Sequence, residues 1–194
     1  MKFYNLILIA FLVSCQPEKV AIDDNTNEII SILLEKYGKS RVKPPPPNES
    51  FDLNQKQIDS IYKQKQKIAI YPVRSGIKGL SSKKEFKTKP YYSLIKGFDS
   101  IRNKQIDISL IKNEIGHQLI LLDTIKYRED KHYISNNYDR MLHFSPIAFD
   151  KKKTKAITVL AYNSGYLNGS TVLLYFEKEN GKWHIIETNL LEIS

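Results

Sequence analysis

The chain has 194 residues, of which 41% are hydrophobic and 26% charged, with 12 Tyr and 8 Phe. That apolar mass excludes a disordered polymer and builds one folded domain, while the length excludes two large ones. The net charge of +9 attracts polyanions in general. Its densest clusters, Lys83, Lys84, Lys87 and Lys89 and then Lys151 to Lys153 with Lys155, fall in expected loops and hold no aromatic besides Phe86, too few for a stacking platform, so no nucleic-acid partner is expected.

The first element is a leader. Lys2 precedes an apolar run from Phe3 to Val13 that is broken only by Asn5. A helix that crosses a bilayer needs about 20 apolar residues, so this run fits the hydrophobic region of an export signal instead. It ends in Leu12-Val13-Ser14-Cys15, and Cys15 is the only cysteine. The segment resembles the lipobox of bacterial lipoproteins, with an aliphatic residue three before the cysteine, a small residue just before it, and the cysteine as new N-terminus. The resemblance implies diacylglyceryl transfer to the Cys15 thiol, cleavage after Ser14, and acylation of the freed amine.

Residues 1–14 are then a signal peptide, and loss of Lys2 takes the charge from +9 to +8. Each buried CH₂ contributes about 0.8 kcal/mol, so several acyl chains on Cys15 hold the protein stably to a membrane where one chain would not. No second cysteine is available for a disulfide, and core packing alone must hold the fold in an oxidising compartment. Gln16 stands where an aspartate would imply retention at the inner membrane, so the resemblance places the lipid anchor in the outer membrane of a cell envelope. A plain secretory signal or an uncleaved anchor, with an incidental cysteine, is the alternative reading.

Residues 15–25 are polar and aperiodic, a short tether. From Thr26 to Tyr37 the residues Ile29, Ile30, Leu33, Leu34 and Tyr37 share one helical face, with Asn25 and Glu28 as a capping pair and Gly38 as the stop. Pro44 to Pro47 favour polyproline II and read as a stiff spacer. A second helix is expected from Leu53 to Lys65, capped by Asp52 with Gln55 at the reciprocal position, and striped by Leu53, Ile58, Ile61 and Tyr62. KIAIYPV is a short strand ended by Pro72. Residues 74–89 read as a long surface loop. Residues 90–104 read as a third helix with Tyr91, Leu94, Ile95, Phe98 and Ile101 in a stripe. The alternation of Ile106, Ile108 and Leu110 predicts extended chain, HQLILLDTI a buried strand, and residues 126–140 mostly loop.

The C-terminal signal is the clearest. KAITVLAYN, STVLLYFEKE and KWHIIET are separated by Asn168-Gly169 and Asn180-Gly181. Asn-Gly between apolar runs marks a hairpin, because a type I′ turn needs two residues with positive φ. An antiparallel meander follows, with Arg140 to Phe149 as a further strand and Phe176 and Trp183 in the core. Helices early and strands late give an α+β fold, with N-terminal helices packed on a C-terminal antiparallel meander in a single domain over residues 26–194. The last quarter of the chain is similar to the C-terminal meander of small, uncharacterised lipoproteins of low-GC Gram-negative bacteria. Their turn reads tyrosine, any residue, cysteine, glycine, any residue, leucine, cysteine, glycine. Tyr162, Gly165, Leu167 and Gly169 keep that frame, whereas Ser164 and Asn168 stand where the cysteines would be. Any disulfide or metal role of that pair does not carry over.

Chemical motifs are sparse. His117, His132, His143 and His184 lack the spacing of a zinc site, and His184 reads as a solvent-facing strand residue. No metal or cofactor is expected. Arg128, Glu129, Asp130 and His132 in YREDKHY are the types used for acid and base work, but they read as solvated. Ser164-Gly165 and Ser170-Thr171 lack the nucleophile elbow, RSGIKGL lacks phosphate-loop spacing, and no catalytic residue is assigned. The expected function is a noncatalytic, membrane-tethered binding module for a protein, peptide or glycan partner. The turn holding Tyr162, Asn163 and Tyr166 is its contact surface, unless those residues only close the hairpin. A hydrolase of envelope polymers and an immunity-type or inhibitor lipoprotein are the alternatives.

Overall fold

The computed structural model describes residues 23–39, 53–74, 79–86, 91–98, 100–101, 104–165 and 167–193. The leader with Cys15, most of the tether, the four prolines, Asp52 and Tyr166 lie outside them. The helices are α1 (Asp24–Tyr37), α2 (Gln55–Tyr62), α3 (Tyr92–Phe98), α4 (Thr124–Glu129) and α5 (Tyr133–Asn137). The strands are β1 (Lys67–Ile70), β2 (Val73–Arg74), β3 (Lys104–Gln105), β4 (Gln118–Leu121), β5 (Arg140–Phe144), β6 (Ala148–Phe149), β7 (Lys155–Asn163), β8 (Gly169–Glu179) and β9 (Lys182–Ile193). The fold is α+β: one sheet runs β4-β1-β5-β7-β8-β9 with β6 beside β7, and β2 pairs with β3 separately.

β7, β8 and β9 form the expected antiparallel meander. At its second turn Glu179 pairs with Lys182, and Asn180 (φ 50°) and Gly181 (φ 80°) take the two positive-φ positions, as a type I′ turn requires. The first turn differs from the expected Asn168-Gly169 pair. Gly169 already pairs with Asn163, so the loop spans residues 164–168 with Leu167 at φ 59°. β9 ends the sheet, and bulges lie opposite Thr171/Val172 and Tyr175/Phe176. Its Ile186, Leu190 and Ile193 are exposed.

The other half of the sheet is partly parallel. β1 runs parallel to both β4 and β5. Ile68, Ala69 and Ile70 are fully buried, which is why KIAI reads as an unbroken apolar run: a strand covered on both faces does not alternate. HQLILLDTI, expected as a buried strand, is the edge strand β4. Its residues are half-buried or exposed, since the sheet ends there.

α1 covers one face. Ile29, Ile30, Leu33, Leu34 and Tyr37 pack on Ile68, Ile70, Leu142, Leu160 and Leu174. Gly38 permits the close approach of its end to the sheet, since a Cβ there would sit 2.9 Å from Ile68 Cδ1. The helix begins two residues earlier than expected, with Asp23 O accepting from the amides of Thr26 and Asn27. Asn25 and Glu28 are not its capping pair. Asn25 Oδ1 accepts from Trp183 Nε1 (3.0 Å) and Lys178 Nζ (2.8 Å), and Glu28 Oε1 accepts from Trp183 N (3.0 Å). Both side chains therefore pin the helix to β8 and β9.

Other boundaries also moved for physical reasons. α2 is capped by Asn54 and Gln57, each side chain bonding the other's backbone, rather than by Asp52 and Gln55, and it buries no residue. Residues 79–86, expected as surface loop, form two 3₁₀ turns that bury Leu80 and Phe86. α3 stops at Phe98, and residues 108–110 are a 3₁₀ turn rather than extended. Residues 126–140, expected as loop, hold most of α4 and all of α5. These helices are too short to show a period, yet Ile134 is buried against Ala69, Leu122 and Met141.

Candidate functional site

The second face of the sheet is covered in two separate patches. Over β7 and β8, the 79–86 turns and α3 set Leu80, Phe86, Tyr91, Ile95 and Phe98 on Ile157, Val159, Leu173 and Tyr175. Over β1 and β5, α4 and α5 pack on Ala69 and Met141. A cleft of about 230 Å³ lies at the sheet end between these caps, lined by Tyr71, Tyr127, His143, Asn163, Ser170 and Thr171 among others.

His143, Asn163 and Thr171 arrive there by strand alternation, whereas Tyr127 comes from α4 and Ser170, paired with Tyr162, borders the cleft from the other phase of its strand. His143 pairs with Ala161 and Met141 with Asn163, so His143, Ala161 and Asn163 share the second face. Tyr71 follows β1 and its ring stacks on His143, centroids 4.3 Å apart at 29°. Burial pushes the His143 pKa down, opposed by a hydrogen bond to the Val73 backbone, so its imidazole is neutral at neutral pH. Asn163 Oδ1 is buried and has no hydrogen-bond partner among the described residues. Leaving such an acceptor unpaired costs about 1–3 kcal/mol.

The structure separates the residues expected at the turn. Asn163 and Tyr162 both border the cleft, but the Tyr162 ring turns to the opposite face, 5.1 Å from the Tyr37 ring of α1. Tyr166 lies outside the described residues. His184 is exposed, as expected of its strand position, and Arg128, Glu129, Asp130 and His132 are exposed as well. Among the described residues no three His, Cys, Asp or Glu side chains lie together as a metal site, and no helix is long and apolar enough to cross a membrane. Tyr71, Tyr127 and His143 were not singled out as contact residues from sequence. They come from three segments with no shared spacing, and only the aromatic content of each hints at them.

Among the described residues, the cleft lining contains no carboxylate, lysine or arginine. It offers aromatic faces, the hydroxyls of Thr171 and of its tyrosines, and the buried carbonyl of Asn163, a set suited to stacking and hydrogen bonding rather than to ion pairing. The two-carboxylate arrangement of glycoside hydrolysis is not met by this lining. The chain matches no protein family, and neither a curated protein nor a solved structure is significantly similar to it.

Proposed function

We propose that the chain is a lipid-anchored binding module of a bacterial cell envelope, and that its cleft takes an uncharged, polyhydroxylated ligand of the glycan class. The observation that carries the ligand reading is the buried Oδ1 of Asn163, without a partner and in a lining without formal charge among the described residues. A chain of net charge +9 that keeps its cleft neutral favours a neutral ligand. A sugar hydroxyl supplies the donor that Asn163 lacks, and the Tyr71–His143 stack supplies a flat apolar flank for a pyranose face. The anchor reading rests on Leu12-Val13-Ser14-Cys15, and Gln16 in place of an aspartate favours the outer membrane.

Calorimetric titration of the full-length chain in detergent with neutral oligosaccharides tests the ligand reading. At least one neutral sugar should bind, and Asn163→Ala should weaken it about tenfold or more, or about 1.4 kcal/mol. Failure of every neutral sugar, or equal binding by the variant, refutes it. Fractionation of cells carrying Cys15→Ser tests the anchor. The variant should leave the membrane pellet, and unchanged sedimentation refutes the anchor.

A further inference from the structure

A second groove, of about 330 Å³, lies between α1 and the segment that leads into β4. Its charged lining comes from Glu28, Glu35, Glu114, Lys112 and Lys182, and His117 forms part of its wall. His117 is 4% exposed. Asn113 holds the backbone of this residue at both polar atoms: its Oδ1 accepts from His117 N (2.9 Å) and its Nδ2 donates to His117 O (2.5 Å). His117 Nδ1 accepts from Gln66 N at 3.0 Å.

That last bond fixes the tautomer. With Nδ1 accepting, the ring proton sits on Nε2. Burial, and then the charge of Arg140, push the His117 pKa down and keep the ring neutral. Nε2 is therefore a donor, and it is buried with no partner among the described residues. Nearly all buried polar groups in folded proteins are paired, so this donor lacks an acceptor that a bound molecule would bring. A lone water fills only about 30 Å³, far less than the groove.

The rim defines the ligand's charge. Three carboxylates oppose a simple anion and two ammonium groups oppose a simple cation. Glu28 Oε1 already accepts from Trp183 N and Glu35 Oε1 from Lys39 Nζ at 3.4 Å, an exposed pair, which leaves Glu114 and the second oxygen of Glu35 as the principal sites for a ligand cation. We propose that this groove binds a zwitterionic α-amino acid or short peptide, its carboxylate on His117 Nε2 beside Lys112 and Lys182 and its ammonium beside Glu35 and Glu114.

The test uses the full-length chain in detergent, free L- and D-amino acids and dialanine as probes, and the His117 ring-proton resonance as readout. At least one probe should shift that resonance saturably with a Kd at or below about 1 mM. The methyl ester of that probe, which lacks the carboxylate charge, and its N-acetyl form, which lacks the ammonium, should each bind about tenfold more weakly. Glu35→Gln and Lys112→Met change the charged rim without touching the core and should each weaken binding several-fold. No saturable shift from any probe, a resonance explained by an ordered water only, or equal binding of the blocked forms would overturn the proposal. Neutral-sugar binding at the other cleft is measured separately, so either result stands without the other.

Discussion

Asn25→Ala should destabilise the domain far more than an exposed position at the start of a helix normally does. Its Oδ1 is the acceptor for Trp183 Nε1, and Trp183 is 3% exposed, with its ring against Phe149. Removing the acceptor strands that indole donor in the core, a loss of about 1–3 kcal/mol. The bond from Lys178 Nζ adds at most about 1 kcal/mol, because that ammonium can rehydrate. The expected total is about 1–4 kcal/mol. Trp183 is the only tryptophan in the chain, so urea unfolding followed by its emission reads the site directly, with an unchanged m-value as the check on two-state behaviour. Asn25→Asp keeps an acceptor next to Lys178 and should stay close to the parent. Asp23→Ala removes a surface pair with Lys153 and should cost about 0–1 kcal/mol. If Asn25→Ala lies within about 0.5 kcal/mol of the parent, the surface-site scale, or if Asp23→Ala costs as much, the pinning role is wrong.

Tyr91→Phe removes the donor to Glu177 Oε1 (2.6 Å) and should cost about 1 kcal/mol by chemical denaturation at neutral pH. The Tyr91 hydroxyl, and then Lys155, hold the Glu177 carboxyl below the ordinary glutamate range. The contribution is therefore complete above that range and lost as pH falls through the depressed folded value, so the gap between parent and variant should narrow in acid; a constant gap refutes the assignment. Gly38→Ala should cost about 1–3 kcal/mol, since its Cβ would lie 2.5 Å from Leu34 O and 2.9 Å from Ile68 Cδ1. An unchanged urea midpoint would mean that α1 can back away from β1 freely.

What sequence could reveal was local. KAITVLAYN coincides with β7, and Asn180-Gly181 forms its turn where the two-residue signal placed it. The parallel pairing of β1 with β4 left no such trace, because Lys67 meets Gln118 across a long crossover and nothing in either segment names its partner. α4 and α5 were missed because five or six residues are too few to display a helical period. For the cleft, Asn163 was legible as part of an unusual turn. The opposite facing of Tyr162 followed from strand alternation and the expected contact surface overlooked it. His143 and Tyr71 join Asn163 only through sheet register, which is a tertiary fact. The unpaired Nε2 of His117 was equally invisible, since it depends on a backbone amide that is 51 positions away in the chain.

Beyond Trp183, whose amide Glu28 takes, no strand among the described residues pairs with the outer edge of β9, and a foreign extended chain could zip onto such a rail and begin a fibril. Its bulges work against that fate. Tyr175 faces Glu187 while Phe176 faces Ile185, and Thr171 faces Glu192 while Val172 faces Leu190, so Ile186 and Leu191 are supernumerary. Each extra residue coils the ribbon away from flatness, and the second returns the inward-outward rhythm that the first inverted. Deleting Ile186 alone would straighten the margin and turn one stretch of the strand inside out, trading a guarded border for an adhesive one.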